Sequence, residues 1–361
     1  MAEIRIERLH KRFGDFVAVR ESTLTVADGE FFVLLGPSGC GKTTTLRMIA
    51  GLEIPTSGEI RLGGEDVTFR RARERDIAFV FQLFALYPHM NVRRNIGFPL
   101  LAQGTPRAEI RRRVEETARL LRIEALLDRP VGGLSGGDRQ RVALGRAIVR
   151  RPKAFLMDEP LGALDTEFRA VMCEELRLLH DRIGATTVYV THDQLEAMAM
   201  ADRIAVMDKG VVLQCGTPAD IYHRPRTRFV ADFIGSPAMT FLDATAEHAV
   251  AVRVAGVAVA VPQLREPAPA ELTLGIRPEH LAFSDSSALR GEVVAVEYMG
   301  ARQIVAVDTP AGRARVRCDN AVVVRPGERV GLLPDPARVV LFDRASGRAL
   351  DSALFDGAAH G

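Results

Sequence analysis

The stretch from residue 36 to residue 44, GPSGCGKTT, combines residue types that bind phosphate groups. It matches the phosphate-loop pattern G-x-x-x-x-G-K-[ST]. Glycines let backbone N–H groups converge on phosphate oxygens at the start of a helix, where the helix dipole also favours anions. Lys42 is predicted to meet the terminal phosphates of a nucleotide, and Thr43 to bind Mg2+. The predicted phosphate contacts are Gly36, Ser38, Gly39, Cys40, Gly41, Lys42, Thr43 and Thr44.

Cys40 lies inside this predicted loop and close to Lys42. An electropositive surrounding lowers a thiol pKa, so we expect a lowered pKa for Cys40. The alternative is a passive loop residue, and we expect no catalytic role for this thiol.

Asp158 and Glu159 are a second pair of residues that could act on a phosphate ester. They directly follow the apolar run 154–157, which predicts a buried strand. Asp158 is placed to hold Mg2+ through water, and Glu159 to polarise an attacking water. The alternative, an acidic turn after a strand, is disfavoured because a phosphate loop is present in the same chain.

The elements that position these residues are read from apolar runs. Phe31–Leu35 is continuously apolar, which is typical of a strand covered on both faces, and it leads into the loop and a helix near Lys42. Similar runs lie at 77–81, 154–157, 187–190 and 204–207. Helical patterns between several of them predict an α/β sheet with nucleotide at the carboxyl ends of its strands. Alternation at 4–9 and 17–26 predicts edge strands.

Residues 83–150 interrupt this alternation of strands and helices. Arg107–Leu121 and 137–149 both read as amphipathic helices, so we expect a helical insertion. The first helix carries a basic cluster that could suggest an anion site. Interleaved acids favour a solvated helix face instead. The charged residues concerned are Arg107, Glu109, Arg111, Arg112, Arg113, Glu115 and Glu116.

The composition shifts toward short alternating segments after residue 235. These lie at 250–261, 272–276, 291–296, 304–307, 313–317 and 339–342. They predict a small all-β domain, and closure into a barrel is one arrangement that fits. The predicted organisation is a nucleotide-binding domain at 1–235 and a β domain at 236–361.

Composition limits the function classes. The chain has 361 residues and a net charge of 48 − 46 = +2, with both signs interspersed, so nucleic acid is not an expected partner. The N-terminus lacks the apolar core of a secretory signal, and no apolar run approaches the ~18 to 20 residues that span a bilayer. A cytoplasmic protein is expected. The four cysteines are scattered, which predicts neither disulfides nor a zinc site.

Five motifs in a fixed order carry a family resemblance. They are the phosphate loop, Gln82 in VFQLFALYP, LSGGDRQRVAL from Leu134, LMDEPLGALD ending at Asp165, and VTHDQ with His192. In this order they resemble the nucleotide-binding subunit of an ABC transporter. The resemblance covers nearly the whole chain and implies an ATPase that uses ATP and Mg2+.

The resemblance implies that two subunits pack head to tail. Ser135 of one subunit, with Gly136, Gly137 and Asp138, would then close over the γ-phosphate of ATP held by the other. Asp165 would lie at the dimer interface.

The resemblance also implies roles for three further residues. Gln82 would link Mg2+ and the attacking water to membrane subunits, and His192 would contact the γ-phosphate. Phe13 would stack on adenine. Without the resemblance, a core histidine and a core aromatic are the alternatives for His192 and Phe13.

The carboxyl half resembles carbohydrate-uptake importers of the maltose and glycerol-phosphate type, through GTPADIY from residue 216, FIGSPAMTF from residue 233 and GIRPEH from residue 275. This implies a C-terminal OB-like domain for regulation or dimer contact. Two integral membrane permease subunits and an external solute-binding protein are the implied partners, at the cytoplasmic face of the plasma membrane. A homodimer and a heterodimer both fit. A polyamine or ferric-iron importer and a soluble, non-transport ABC ATPase are the alternatives.

Asp138 departs from the usual family pattern, which has glutamine at this position. Near a helix start, an acid complements the helix dipole by a few tenths of a kcal/mol, and we favour this role. The alternative is that a negative charge near nucleotide weakens dimer closure, since a carboxylate cannot donate a hydrogen bond as an amide can.

Overall fold

The computed structural model describes residues 2–81, 85–162 and 164–356 and divides the chain into two compact units, one up to Pro218 and one from Ala219. The predicted domain boundary lay after residue 235. Residues 219–235 cluster with the second unit, whereas the functional boundary between the two domains stays a prediction.

The first unit contains the predicted parallel sheet. The strands of the whole unit are β1 (Ile4–Phe13), β2 (Phe16–Val26), β3 (Phe31–Leu35), β4 (Ser57–Leu62), β5 (Glu65–Asp66), β6 (Ile77–Val80), β7 (Ala154–Asp158), β8 (Thr186–Thr191), β9 (Arg203–Asp208) and β10 (Val211–Gly216). The larger sheet has the order β10-β9-β3-β8-β7-β6, with β10 antiparallel to the rest. Strands β3, β7 and β8 are buried along their whole length, as their apolar runs predict.

Strands β1 and β2 belong to a separate antiparallel sheet with the order β2-β1-β4-β5. Burial along β1 alternates at Ile4, Arg5 and Ile6, so one face is covered as predicted. However, β1 pairs with β2 on one side and β4 on the other. The edge position predicted for β1 is therefore wrong, because pairing with the distant β4 covers its second edge.

The segment between β6 and β7 is helical, as predicted. The helices of the first unit are α1 (Lys42–Ala50), α2 (Val92–Ala102), α3 (Arg107–Leu121), α4 (Gly136–Ile148), α5 (Thr166–Ile183) and α6 (Gln194–Met200). Helix α2 was not predicted, and it begins where the Asn91 side chain accepts a hydrogen bond from Arg94 N at 2.9 Å.

The basic residues of α3 form ion pairs along their own helix. Arg112 lies 2.6 Å from both Glu109 and Glu116, and Arg111 lies 3.2 Å from Glu115. These are i,i+3 and i,i+4 pairs on an exposed surface. The interpretation as a solvated helix face is confirmed.

The second unit is mainly β-sheet. Its strands are β11 (Thr240–His248), β12 (Ala251–Val254), β13 (Val257–Ala260), β14 (Glu271–Ile276), β15 (Leu281–Phe283), β16 (Arg290–Met299), β17 (Arg302–Thr309), β18 (Gly312–Asp319), β19 (Arg329–Pro334) and β20 (Val340–Asp343). They form two antiparallel sheets, β13-β12-β11-β14-β20 and β15-β19-β16-β17-β18. Both sheets contribute to one apolar core, which includes Leu242, Leu274, Val305 and Leu332.

Two short helices, α7 (Pro218–His223) and α8 (Arg228–Phe233), precede these strands. Arg277, which follows β14, is buried and donates hydrogen bonds to Tyr222 O at 2.9 Å, Ala231 O at 3.1 Å and Ile234 O. Burial lowers the pKa of Arg277. The guanidinium thus ties both helical segments to the β-sheets, which explains why residues 219–235 cluster with the second unit.

Among the residues that the structure describes, none of the helices is both long enough and apolar enough to cross a bilayer.

Candidate active site

Parallel strand pairing brings three predicted motifs to one edge of the larger sheet. In the register of this sheet, Leu35 of β3 lies beside Thr191 of β8, and Val190 lies beside Asp158 of β7. The phosphate loop follows β3, Glu159 follows β7 and His192 follows β8. Carboxyl ends of parallel strands are where α/β sheets bind ligands.

Glycine is required at two positions of the phosphate loop. A Cβ at Gly36 would lie 2.2 Å from Met207 O. At Gly41, φ is 106° and a Cβ would lie 2.5 Å from Ala18 O. The loop is therefore pressed against the backbone of neighbouring segments, and a larger residue at either position would move it.

Lys42 is 4% exposed and folds back over its own loop. Its Nζ donates hydrogen bonds to Gly36 O and Pro37 O, both at 2.8 Å. Helix α1 starts at Lys42 without a side-chain cap and without an acidic residue in its first turn. Its first N–H groups have no partners within the helix, so ammonium and amide donors converge at this point.

The prediction of a lowered pKa for Cys40 is wrong. Burial raises the pKa of this thiol, and the charge of Lys42, whose Nζ lies 3.8 Å from Sγ, lowers it by less. Only 3% of Cys40 is exposed, so desolvation of a thiolate outweighs the nearby cation.

Thr43 and Asp158 meet at the end of β7. Thr43 Oγ1 donates a hydrogen bond of 2.9 Å to Asp158 Oδ1. Burial raises the pKa of Asp158, while this hydrogen bond lowers it. A hydroxyl and a carboxylate held together in this way supply the oxygen ligands that Mg2+ prefers.

Glu159 and His192 also form a pair. Glu159 Oε2 lies 3.1 Å from His192 Nδ1, and Glu159 N donates to Val190 O at 3.0 Å. Glu159 has φ of 44°, a conformation that non-glycine residues rarely adopt and that often marks functional sites. The His192 side chain is 51% exposed, so the alternative of a core histidine is wrong.

Ser135 caps helix α4. Its Oγ accepts a hydrogen bond from Asp138 N at 3.1 Å and donates one to Asp138 Oδ2 at 2.7 Å. Asp138 Oδ1 also lies 3.4 Å from Arg141 Nη1. This position in the first helical turn agrees with the predicted helix-start role of Asp138.

Gly137 is required for packing. A Cβ at this position would lie 2.1 Å from Cζ of Phe168 on α5, so α4 and α5 are in close contact. We call residues 134–138, LSGGD, the signature and α4 the signature helix. Asp165 caps α5 by accepting a hydrogen bond of 2.9 Å from Phe168 N.

Phe13 lies at the end of β1, opposite Phe16. It is 46% exposed, so the alternative of a core aromatic is wrong, and Lys11 Nζ lies 4.6 Å from its ring centroid. Gln82 lies outside the described residues.

Asp193 was missed in the sequence. Its side chain caps α6 by accepting from Leu195 N at 2.8 Å, and its backbone N–H donates to Thr191 Oγ1 at 2.9 Å. The capping pattern of an aspartate followed three residues later by Glu196 was a readable signal.

Comparisons with known proteins show the family of this chain. Residues 19–162 match the ABC transporter family model, residues 235–281 the MalK OB fold domain and residues 274–342 the TOBE domain. Trehalose import ATP-binding protein SugC of Mycobacterium tuberculosis is 45% identical, covering 97% of this chain and 98% of that protein. The sn-glycerol-3-phosphate import ATP-binding protein UgpC of Chromohalobacter salexigens is 48% identical over 96% of both.

A solved structure is also similar. The cbiO1 protein from Clostridium perfringens, part of the ABC transporter complex cbiONQ, has a TM-score of 0.57 and 28% identity, covering 60% of this chain and 89% of that one.

The chain belongs to the ATP-binding subunits of ABC transporters, which are ATPases. Within that family, its OB and TOBE domains and its relatives identify it as an importer subunit of the carbohydrate type. The predicted fold class, an α/β ATPase followed by an OB-like β domain, is confirmed.

The close approach at Gly41 predicts a specific loss of nucleotide binding. In Gly41→Ala, the contact with Ala18 O displaces the phosphate loop, and we expect Mg·ATP affinity, measured by calorimetric titration, to fall by about 10-fold or more. Gly64→Ala is the control, since φ there is 83° with open space around the Cβ position. It carries a similar backbone strain away from the loop. Equal affinities in the two variants would contradict this account.

Proposed function

We propose that this chain works as one half of an ATPase dimer that drives import of a sugar, polyol or glycerol-phosphate-like solute. The observation that carries this proposal is the meeting of three pairs of groups at one sheet edge: Lys42 with the loop carbonyls, Thr43 with Asp158, and Glu159 with His192. Together they supply a cation, oxygen ligands and a candidate base.

The residues present fit ATP and Mg2+. Gly36 and Gly41 keep side chains out of the loop, and α1 begins without an acidic side chain. Lys42 Nζ donates to backbone carbonyls, which carry no net charge and can be replaced by phosphate oxygens. Phe13 offers an exposed ring on which the adenine of ATP can stack. Bound Mg·ATP supplies the phosphoanhydride bond and a divalent cation that offsets its charge.

Each residue has a distinct task in hydrolysis. Lys42 and the loop N–H groups hold the phosphates, while Thr43 and Asp158 hold the metal. Glu159 orients a water and accepts its proton at a carboxylate oxygen. His192 holds that carboxylate through Nδ1 and contributes to phosphate binding. We assign to Gln82 the link between metal, water and membrane subunits.

The signature residues act on a partner's nucleotide. Ser135, Gly136 and Gly137 at the start of α4 present a hydroxyl and helix N–H groups, which suit an anion. In the proposed head-to-tail dimer, with a second copy or a related ATPase, they close over ATP held by the other subunit.

The chain's relatives support transport over the soluble alternative, since both are named import ATP-binding proteins. One is named for trehalose and the other for sn-glycerol-3-phosphate, which supports a carbohydrate or polyol-phosphate cargo. We assign this chain to the cytoplasmic face of the membrane, bound to two permease subunits. These subunits receive cargo from an external solute-binding protein. The second unit is assigned to regulation or dimer contact.

Removing the proposed base should separate binding from turnover. In Glu159→Gln the amide cannot accept the proton from water, so we expect kcat for ATP hydrolysis to fall at least about 100-fold while Mg·ATP still binds and favours a closed dimer. Glu174→Gln, an exposed change on α5, is the matched control and should retain turnover. Full steady-state hydrolysis by Glu159→Gln would overturn the assignment.

Asp138→Gln tests the unusual acid in the signature. The change removes a negative charge and frees the Ser135 hydroxyl proton from a carboxylate. From the favoured helix-start role we expect the ATP dependence of dimerisation, followed by light scattering, to stay unchanged, whereas dimerisation at lower ATP concentration would show that the charge weakens closure. Glu175→Gln, which removes the other carboxylate bound to Arg141, is the control. An unchanged ATP dependence would leave Asp138 only its role at the helix start.

Partner recovery tests the importer assignment. From a detergent extract of its own cells, we expect the tagged chain to copurify with integral membrane subunits, and its ATPase rate to rise when a solute-binding protein loaded with the correct sugar or polyol phosphate is added. The extract should be compared with one from Glu159→Gln, which favours the closed complex. Recovery with ribosomes or DNA and without membrane subunits would support the non-transport alternative instead.

A further inference from the structure

Arg169 on α5 joins two segments of the candidate site. Its Nη1 donates to Asp193 Oδ2 at 2.8 Å, and its Nη2 donates to Leu164 O at 2.9 Å. Asp193 directly follows His192, and Leu164 directly precedes Asp165. A planar guanidinium fixes both partners in one geometry, which a flexible ammonium does not.

The segment that carries His192 rests on a buried carboxylate. Glu196 is 3% exposed, and its Oε2 accepts hydrogen bonds from Tyr189 OH at 2.8 Å and Thr191 Oγ1 at 2.7 Å. Thr191 Oγ1 in turn accepts from Asp193 N at 2.9 Å. The residues on both sides of His192 are therefore held by one network.

Arg169 supplies the positive charge in this network. Besides its bond to Asp193, its Nε lies 3.6 Å from Glu196 Oε1. Burial raises the pKa of Glu196, and the charge of Arg169 opposes that rise. Loss of the guanidinium would leave two neighbouring carboxylates to repel each other beneath His192.

The same turn of α5 contacts the signature helix. Phe168, which precedes Arg169, packs its ring over Gly137. The first turn of α5 therefore touches the signature residues through Phe168 and the His192 segment through Arg169.

We propose that Arg169 is a positioning residue for ATP hydrolysis. It holds Asp193, the neighbour of His192, and Leu164, the neighbour of Asp165, at fixed positions relative to each other. The proposal rests on the proposed function of this site. These bonds of Arg169 keep His192 against Glu159, so that loss of Arg169 lowers turnover more than it lowers ATP affinity.

The kinetic test compares Arg169→Met and Arg169→Lys with Arg177→Met. Arg177 is the matched control because it lies on the same helix but makes its contacts away from the site. It bonds Met200 O at 2.8 Å, and it pairs with Asp202 and Asp181, each at 2.9 Å. With the full chain, we expect Arg169→Met to reduce kcat roughly 10- to 100-fold while KM for ATP changes by less than about threefold. Arg169→Lys, which keeps the charge, should recover part of kcat, and Arg177→Met should retain it.

Hydrogen exchange on the full chain gives a readout that does not depend on turnover. We expect amides of residues 191–196 to exchange faster in Arg169→Met than in Arg177→Met, since only the former loses the bond to Asp193. Unchanged exchange there, or a kcat for Arg169→Met equal to that of Arg177→Met, would overturn the proposal. If Arg169→Met shows the faster exchange but the wild-type chain hydrolyses no ATP, the proposed function fails, and only the structural tie of Arg169 to Asp193 and Leu164 stands.

Discussion

Parallel pairing of β3, β8 and β7 is the constraint on which the candidate site depends. Each strand is buried along its length, so its register is fixed by packing on both faces. That register places Leu35 beside Thr191, and Val190 beside Asp158. Because the three strands run in the same direction, the residues that follow them must emerge together. The phosphate loop, Glu159 and His192 are neighbours for this reason, although more than 100 residues separate the first from the others.

Backbone carbonyls help to hold three cations of this chain in place. Lys42 bonds two carbonyls of its own loop, Arg169 bonds Leu164 O, and Arg277 bonds carbonyls of both short helical segments in the second unit. Such bonds compensate desolvation and orient the charge without neutralising it. At Lys42 the two carbonyls carry no net charge, so they leave the ammonium available for the phosphate binding proposed above. At Arg169 and Arg277 such bonds make the cation a structural tie.

Features with a local cause were predicted well. The buried strands, the turn into α1 and the ion pairs of α3 all follow from neighbouring residues in the chain. Helix α2 was missed because its start depends on a single Asn91 cap and its pattern is interrupted by Pro99. Strands β11, β15 and β19 were also missed, and β15, which is only three residues long, pairs with the distant β19. The pKa of Cys40 was predicted in the wrong direction, since burial of the loop by distant segments cannot be read from the residues beside it.

The sequence alone predicted the chemistry of this protein: which residues are candidates for phosphate donors, metal ligands and a base, and in which order, because residue type and short spacing suffice to propose each motif. It also determined the buried strands that must hold them. Only the tertiary structure decided which groups meet. The bonds from Thr43 to Asp158, from Glu159 to His192 and from Arg169 to Asp193 link segments whose separation along the chain carries no information about distance. Sheet register and helix packing bring them together, and those depend on the whole buried core at once.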